Sequence, residues 1–299
     1  MTADARGSGR DTVPPPPTTP TTPTERRAAF ARSAAILALE GLEMPAGWAE
    51  FRDQVIEGAR SIGDAIVAVT GERRGLPDQP RPRAVGIERY VDPVTKVSYN
   101  KLGLRRRSEL AAADYRMTDV RLMQLTLEPI RGRYDLDHLE RLHRHIYADL
   151  YDWAGEYRSI DFSRTLNGEP GWKARFAPVD DIPAVAVSVR QDLGIWNTLN
   201  GLALPDFLAR LTSIYVKLNY MHPFLKGNGR AIAGLLSQLA HEARYALRFE
   251  QVEPQVWSRA TAYSMPRIGT DPDARRIGRD YTLIREVFAR IAVPLGDLE

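Results

Sequence analysis

One nine-residue segment, HPFLKGNGR at residues 222–230, constrains the fold more than any other part of the chain. Before it, apolar residues recur at spacings of three and four over residues 207–218, and the same spacing returns over residues 232–239. That spacing predicts an amphipathic helix on each side. Pro223 has no backbone N–H, so it should end the first helix with His222 at its carboxyl end. The segment is therefore predicted to be a helix–loop–helix junction.

The residue types in this junction predict a phosphate site. Gly227 and Gly229 permit a tight turn whose N–H groups converge with those of the first turn of the next helix. Such a helix start attracts phosphate, and Arg230 and Asn228 add side-chain donors. His222 beside this cradle has the chemistry of a general base. The pattern predicts transfer of a phosphate-containing group to a hydroxyl.

Composition divides the 299 residues into four parts. Residues 1–24 are rich in Pro and Thr and are predicted to be a disordered tail. Residues 25–70 are rich in Ala and predict three short helices, the second starting at Pro45 and the third capped over residues 61–64. Residues 71–85 combine Gly, Pro and charge, as linkers do. The larger domain follows over residues 86–299, with a helical extension at its carboxyl end.

Within that domain, periodicity and turn residues predict mostly helices. An apolar stripe that begins after Asp135 and continues to Trp153 predicts one long helix. The pair Asn167–Gly168 lies among aromatic and β-branched residues, which predicts a small β-hairpin, called here the flap. Three further elements are predicted, namely a hairpin or extended segment at 90–100, a helix at 108–125 and a helix at 182–199.

Composition also excludes several classes of function. A net charge of +3 does not indicate a nucleic-acid surface, and the absence of cysteine excludes thiolate chemistry. No apolar run approaches the ~20 residues that span a bilayer. His138, His143 and His145 lie on one predicted helix, but none are four residues apart, so no metal site is predicted. We expect no membrane span, and a location in the cytoplasm or secretion without a Sec-type signal.

The junction resembles the signature of the Fic family within the Fic/Doc superfamily. The matching positions are His222, Pro223, Phe224, Gly227, Asn228, Gly229 and Arg230. The segments NKLG at 100–103, HLERLHRHIYADLYDWAGEYR at 138–158 and RFAP at 175–178 are also similar to Fic-domain segments. The resemblance covers about residues 86–265 and implies a mainly α-helical Fic fold with a small β flap.

The resemblance implies a protein adenylyltransferase with ATP as substrate. His222 would deprotonate a target hydroxyl, which attacks the α-phosphate while pyrophosphate leaves. Asn228 and the backbone of residues 227–230 would hold phosphates, and Arg230 would stabilise the leaving group. Phe224 would anchor the loop. The flap near residues 173–178 would align a segment of the target protein by strand-like pairing.

Two positions depart from the family pattern. Lys226 stands where the family has the acidic residue that holds Mg²⁺, and Ala233 replaces a second arginine that clamps the γ-phosphate. An ammonium repels a metal ion, so the use of Mg²⁺ stays open. We hypothesise that Lys226 partly substitutes for the ion by binding the diphosphate directly. A divergent phosphotransferase, transfer from another nucleotide, and a catalytically silent interaction module remain alternatives.

A second resemblance lies in SAAILALEGLEMP at residues 33–45. It is similar to the inhibitory helix of Fic-associated antitoxins, in which a Ser or Thr precedes Glu-Gly by four positions and the glutamate blocks γ-phosphate binding. Glu40 and Gly41 match, whereas Ile36 replaces the expected hydroxyl residue. The resemblance implies that Glu40 inhibits the enzyme in the manner of a toxin–antitoxin pair fused in one chain. A helix that merely ends at Gly41, with Glu40 exposed, is the other interpretation.

Overall fold

Helices make up most of the protein, in agreement with the predicted fold class. A computed structural model describes residues 21–71, 86–165, 171–269 and 276–297. Three predicted features therefore lie outside the described residues, namely most of the tail, the linker after Gly71 and the turn of the flap at Asn167–Gly168.

The amino-terminal part forms the three predicted helices, α1 (Pro23–Leu39), α2 (Trp48–Ile56) and α3 (Ile62–Gly71). Helix α1 begins inside the predicted tail because Thr22 and Glu25 cap each other: the Glu25 N–H donates to Thr22 Oγ1, and the Thr22 N–H donates to Glu25 Oε2. The same reciprocal pattern joins Ser61 and Asp64 at the start of α3. Helix α2 starts at Trp48, three residues later than predicted. The Trp48 N–H donates to the Pro45 carbonyl and Gly47 has a left-handed backbone, so residues 45–48 form a turn before the helix.

Within the described part of the larger domain there are seven further α-helices, α4 (Arg107–Leu127), α5 (Leu136–Tyr147), α6 (Ile182–Ile195), α7 (Leu204–Met221), α8 (Asn228–Glu242), α9 (Pro254–Tyr263) and α10 (Thr282–Ile291). Helix α8 is central and packs against α5, α7 and α4. Its apolar residues Leu235, Leu236 and Leu239 are completely buried. Helix α1 lies along α4 and reaches α8, which brings the end of α1 to the start of α8.

The prediction of one helix from Asp135 to Trp153 was wrong in its length. Asp135 is the N-cap, as predicted, but α5 ends at Tyr147. The Tyr147 carbonyl accepts the N–H groups of both Leu150 and Tyr151, which tightens the last turn. The Leu150 carbonyl then accepts from Lys101 instead of continuing the helix. Leu150 and Trp153 are still buried, so the apolar stripe predicted burial correctly and the helix end incorrectly.

The described residues also form six short strands, β1 (Ser163–Thr165), β2 (Trp172–Arg175), β3 (Tyr245–Leu247), β4 (Arg267–Gly269), β5 (Arg276–Ile277) and β6 (Ala292–Pro294). Strands β1 and β2 are the predicted flap, and they belong to a four-stranded sheet of order β1–β2–β4–β5. Strands β3 and β6 form a separate pair. At 90–100 the predicted hairpin is reduced to a single bridge between Val91 and Ser98. No helix among the described residues is long and apolar enough to cross a bilayer.

Candidate active site

His222 is the residue at which α7 ends. It adopts a left-handed backbone conformation, with φ 42° and ψ 59°, and its N–H still donates to the Leu218 carbonyl. Pro223 follows and cannot continue the helix, so the chain turns into the glycine loop at this point. The sequence predicted this position, although a left-handed histidine carries no sequence signal.

The imidazole of His222 lies among aromatic rings. It stacks on Phe176 with ring centroids 3.7 Å apart, and Phe162 approaches edge-on at 5.8 Å. Burial lowers the pKa of His222 to about 3, helped by the positive charge of Arg164 and opposed by the Asn219 carbonyl. The ring is therefore neutral at physiological pH.

Arg158 holds the loop that carries His222. Its Nε donates to the His222 carbonyl at 2.9 Å, and its backbone N–H donates to the Pro223 carbonyl at 2.8 Å. The Arg158 side chain is 1% exposed, with further bonds to the carbonyls of Ile160 and Ala177. The sequence reasoning gave Arg158 no role, because nothing local shows where its five donors go.

His143 supports the other half of the loop. Its Nδ1 accepts the N–H of Gly155 at 2.8 Å, so Nε2 carries the hydrogen and donates to the Lys226 carbonyl at 2.9 Å. Its ring stacks on Phe224, which is completely buried as the predicted anchor of the loop. His138 and His145 bond to different backbone carbonyls, at Ile130 and Arg121. The three histidines therefore serve packing and loop support.

The shape of the glycine loop depends on the close approach of Gly227 to Tyr147 and on the hydrogen bonds of Asn228 to Phe224. Gly227 has φ +83°, and a β-carbon there would stand 2.3 Å from the ring of Tyr147. Asn228 is 2% exposed, and its amide bonds both the N–H and the carbonyl of Phe224. In this state the Asn228 side chain closes the loop and does not point outward. The phosphate contact predicted for Asn228 stays a prediction.

Glu40, at the end of α1, reaches the start of α8. A β-carbon built on Gly229 would stand 1.9 Å from Oε1 of Glu40, so the carboxylate lies directly on the α8 first turn. Free N–H groups and the helix dipole make this position favourable for an anion. Burial alone would lower the pKa of Arg230, but Asp114 raises it above its ordinary value and the negative charge of Glu40 adds to that rise. The sequence interpretation of Glu40 as merely exposed does not fit this contact.

Asp114, on α4, joins the two cations of the loop. It forms ion pairs with Nζ of Lys226 and with Nη1 of Arg230, the latter at 2.6 Å. Lys226 also donates to the Tyr151 hydroxyl at 3.1 Å, and Arg230 donates to Thr118 and lies over the ring of Tyr147. Asp114 is 1% exposed. The sequence reasoning missed Asp114, which lies 112 residues before Lys226 in the chain.

Opposite charges keep this buried cluster ionised. Burial alone would raise the pKa of Asp114, but Arg230 and Lys226 outweigh it and lower the pKa. Burial would likewise lower the pKa of Lys226, yet Asp114 raises it above its ordinary value. Glu40, Asp114, Lys226 and Arg230 thus bring two negative and two positive charges together.

The side chains near Lys226 do not fit a bound Mg²⁺ ion. Mg²⁺ prefers carboxylate oxygens, and the nearest carboxylate, Asp114, is already paired with two cations. Among the described residues no group of three potential metal ligands occurs. Ala233, where the resemblance expects a second arginine, is a 5% exposed core residue.

A buried polar contact ties α1 and α2 to the larger domain. Asp119 of α4 accepts from Ser33 Oγ at 2.6 Å and from Trp48 Nε1 at 2.8 Å, and Arg52 lies 3.5 Å away. Burial raises the pKa of Asp119, with Arg52 opposing. Ile36, where the resemblance expects a hydroxyl, is instead buried in the core. A hydroxyl is thus present one turn earlier, at Ser33.

Strand β2 of the flap is paired on both edges. Residues Trp172–Ala174 pair with β4, Lys173 being opposite Ile268, and residues Lys173–Arg175 pair with β1. The flap near residues 173–178 was predicted to align a target segment. That prediction stays a prediction, but in this structure neither edge of β2 is open.

Comparison with known proteins identifies the family. The model of the Fic/DOC family matches residues 133–240. The probable protein adenylyltransferase Fic of Salmonella typhimurium is 35% identical over 176 residues, which cover 58% of this chain and 83% of that protein. The probable protein adenylyltransferase Fic of Escherichia coli is 30% identical over 215 residues, which cover 72% of this chain and 96% of that protein. The chain belongs to the Fic/DOC family.

Other Fic proteins extend the comparison. The protein adenylyltransferase VbhT of Bartonella schoenbuchensis is 33% identical over 175 residues, but the match spans only 35% of its length. The Fic domain of a putative Bartonella quintana cell filamentation protein, solved with bound ADP, superposes with a TM-score of 0.60 at 23% identity, covering 70% of this chain and 96% of that one. This likeness confirms the Fic fold. At family level, the relatives' names support adenylyl transfer.

Proposed function

We propose that this chain transfers AMP from ATP to a hydroxyl side chain of a target protein. A neutral histidine beside a helix start that already attracts a carboxylate is the observation that carries the proposal. Related Fic structures with bound ADP and with bound AMPPNP support a nucleotide at such a site. VbhT and the two bacterial Fic proteins bear the name protein adenylyltransferase, which supports the same reaction.

In the proposed reaction, the target hydroxyl oxygen attacks the α-phosphorus of ATP. The imidazole of His222 takes the hydroxyl proton, the bond between the α-phosphorus and its bridging oxygen breaks, and pyrophosphate leaves. Arg230 and the first turn of α8 would stabilise the charge that grows on the leaving group. Lys226 would supply a further positive charge to the diphosphate, and no step in this scheme uses a metal ion.

We also propose that α1 inhibits this reaction. The Glu40 carboxylate lies on Gly229 and so competes with phosphate for the same helix start. With Glu40 present the four charged side chains balance, and without it one positive charge remains for a nucleotide. The contacts of Ser33 and Trp48 with Asp119 would keep α1 in this inhibiting position.

Intact-mass measurement after incubation with ATP, CTP, GTP or UTP tests the transfer. Glu40→Gly is the starting protein, so that inhibition does not mask activity. We expect an AMP adduct with ATP, on the protein itself or on an added lysate protein, and loss of the adduct by ~10²-fold to 10⁴-fold in His222→Ala. His241→Ala, which changes an exposed histidine at the end of α8, is the matched control.

Other adducts would select the alternatives. An adduct from CTP, GTP or UTP alone would indicate another nucleotide donor, and a phosphate adduct would indicate a phosphotransferase. Unchanged transfer by His222→Ala would refute the proposed general base. If the Glu40→Gly protein binds no nucleotide at all, the interaction module becomes the better interpretation.

A further inference from the structure

We propose that a cavity between α1, α4 and α8 binds a small amphipathic anion, and that this ligand holds α1 where Glu40 covers the candidate phosphate site. The ligand class is a carboxylate or phosphate head on an apolar body the size of a medium-length acyl chain. The inference rests on the proposed inhibition by α1 and names a regulator for it. The residues that line the cavity take no part in the proposed reaction.

The cavity has the size and the walls of a small-molecule site. Its volume is about 640 Å³, within the ~300 to 1,000 Å³ that is usual for such sites. Helices α1, α4 and α8, the loop after α4 and the segment after β3 all contribute to it. Its apolar walls comprise Ile36, Leu122, Leu125, Ile130, Leu247 and Phe249. Such walls suit an acyl chain or a ring, which they would shield from water.

Two arginines supply positive charge at the edge of this cavity. Arg32 of α1 and Arg131 of the loop after α4 line it, and both residues are exposed. Within the described ranges, neither guanidinium forms an ion pair or a hydrogen bond. A guanidinium binds a carboxylate or a phosphate through paired N–H donors. Arg32 and Arg131 therefore favour an anionic head group.

The acidic residues of the cavity are already engaged. The Tyr134 hydroxyl donates to Glu242 Oε2 at 2.6 Å, and Arg248 Nε pairs with Glu250 Oε1 at 2.9 Å. These carboxylates thus have donors within the protein, whereas the two arginines of the cavity have no acceptor in the described part of the chain. A bound anion would supply those acceptors, and a bound cation would meet two like charges.

The cavity and the Glu40 contact lie on the same faces of α1 and α8. Arg32, Ile36 and Glu40 are four residues apart on α1, which places them on one face. Glu40 lies on Gly229, and Arg32 lines the cavity together with Ser237 of α8, so the two helices run antiparallel here. Gly229 and Ser237 are eight residues apart, about 12 Å along a helix. A ligand between Arg32 and α8 therefore acts on α1 about two turns before Glu40.

Such a ligand favours the docked position of α1 because it needs both helices at once. It contacts Arg32 and Ile36 on one side and α8 on the other, so it binds the docked state and not a state with α1 detached. Mass action then stabilises the docked state in proportion to ligand concentration. Coupling is reciprocal, so a nucleotide that moves Glu40 away weakens ligand binding by the same factor. The ligand is thus a co-inhibitor of the proposed transfer.

Three probes with one apolar body and different heads test the ligand class. Calorimetry compares octanoate, octan-1-ol and octylammonium on the full chain without nucleotide. We expect octanoate to bind ~10-fold or more tighter than octylammonium, and Arg32→Gln or Arg131→Gln to weaken octanoate ~3-fold or more without changing octan-1-ol. Arg27→Gln is the control, because it removes the same charge from α1 where Arg27 pairs with Glu57. No octanoate binding, equal affinity for the three probes, or an equal loss in the control would overturn the proposal.

A change at Ser237 tests the location. Ser237 Oγ donates to the Ala233 carbonyl, so Ser237→Ala should bind octanoate as the unaltered chain does. Ser237→Leu places a larger side chain in the cavity and should weaken both octanoate and octan-1-ol by ~10-fold or more. Unchanged binding by a folded Ser237→Leu protein would place the probe elsewhere and overturn the proposal. If leucine prevents folding, the variants of the two exposed arginines still decide it.

Hydrogen exchange tests whether the ligand holds α1. With octanoate at ten times its Kd, backbone N–H groups of α1 should exchange ~10-fold more slowly, because the detached state becomes rarer by that factor. Helix α6, which does not line the cavity, is the internal control. Equal exchange of α1 with and without octanoate would overturn its action on α1.

Competition with ATP separates this proposal from the proposed function. Octanoate at ten times its Kd should raise the apparent Kd of ATP up to ~10-fold in the unaltered chain, and should leave it unchanged in Glu40→Gly. If ATP neither binds nor donates AMP while octanoate still slows exchange of α1, the proposed function fails and the ligand site stands. If the unaltered chain binds ATP equally with and without octanoate, the function stands and the co-inhibitor is refuted.

Discussion

The carboxylate of Glu40 and the α-carbon of Gly229 are in direct contact, although 189 positions separate the two residues in the chain. Oε1 would stand 1.9 Å from a β-carbon at Gly229, so a larger residue at this position would force the Glu40 carboxylate to move. The contact places a negative charge on the helix start that the proposed reaction needs for phosphate. Through this contact the amino-terminal helices reach the candidate phosphate site itself, which their apolar contacts with α4 do not.

Replacing Glu40 should strengthen nucleotide binding. We expect Glu40→Gly to raise ATP affinity by at least ~10-fold, about 1.4 kcal/mol, because it removes both the charge and the bulk. Glu40→Gln should give a smaller gain, since the amide keeps the bulk. Isothermal titration calorimetry measures both, with the exposed Glu43→Gln as a control. If Glu40→Gly changes neither ATP affinity nor AMP transfer, the proposed inhibition by Glu40 is wrong.

Lys226→Ala should weaken nucleotide binding in the Glu40→Gly protein. A charged hydrogen bond contributes roughly 1 to 3 kcal/mol, so we expect a loss of about 10-fold or more, equal with and without EDTA. Lys217→Ala is the control, because Lys217 on α7 is ion-paired with Asp192 on α6 and has no contact with the glycine loop among its hydrogen bonds and ion pairs. A loss of similar size in both variants would point to general destabilisation.

Lys226→Glu should convert the site toward metal use. The new carboxylate would stand beside Asp114 and give Mg²⁺ two acidic ligands. We expect nucleotide binding by this variant to depend on Mg²⁺, and AMP transfer to increase. Binding that stays independent of Mg²⁺ would contradict the idea that Lys226 takes the place of the ion.

Gly227→Ala should lower the free energy of unfolding by more than the cost of a left-handed alanine. Gly227 and Gly201 both have positive φ, but a β-carbon at Gly201 meets nothing within 4 Å, whereas one at Gly227 meets Tyr147. Both substitutions carry the cost of a left-handed alanine, about 1 kcal/mol. Urea unfolding should show a further loss of ~1 to 3 kcal/mol for Gly227→Ala only. Equal losses would mean that Tyr147 moves away freely.

Acid should destabilise the fold before most carboxylates titrate. Burial lowers the pKa of His143 and His222 to about 3 and that of His145 to about 4, from an ordinary 6.5. The unfolded chain therefore binds more protons, so this stability is complete above pH 6.5 and is lost as pH falls toward 4 for His145 and toward 3 for His143 and His222. Each such histidine contributes a slope of up to about 1.4 kcal/mol per pH unit.

Urea unfolding at pH 7.5, 6.0 and 5.0 measures this slope. His145→Gln should flatten it, because glutamine can donate to the Arg121 carbonyl without titrating. The exposed His241→Gln should leave the slope unchanged. A slope that is the same in all three proteins would show that His145 is not protonated on unfolding.

Local features of the site could be predicted from the sequence, and contacts across the chain could not. The loop from His222 to Arg230 carries its own signals, because proline ends a helix and glycine permits the turn. Asp114 has no such signal, since only the packing of α4 against α8 brings it to Arg230, 116 residues away.

The β4 contact was missed for a similar reason. A strand of three residues is too short for an alternating pattern, and β4 lies more than 90 residues from β2. Arg158 and His143 were within a segment that resembled Fic domains, but most of their bonds go to backbone groups, which every residue has. Side-chain type therefore gave no indication of their partners.

The hydrogen bond between Ser33 and Asp119 would hold the proposed inhibitory helix on the domain that it inhibits. Because α1 belongs to the same chain, its local concentration at α8 is fixed by geometry, commonly in the millimolar range for short tethers, and does not fall when the protein is diluted. A separate inhibitor could be depleted by lower synthesis or faster degradation. If α1 inhibits as proposed, every newly made molecule would carry its own inhibitor at one copy per site, and activation would require an event that detaches α1 from Asp119.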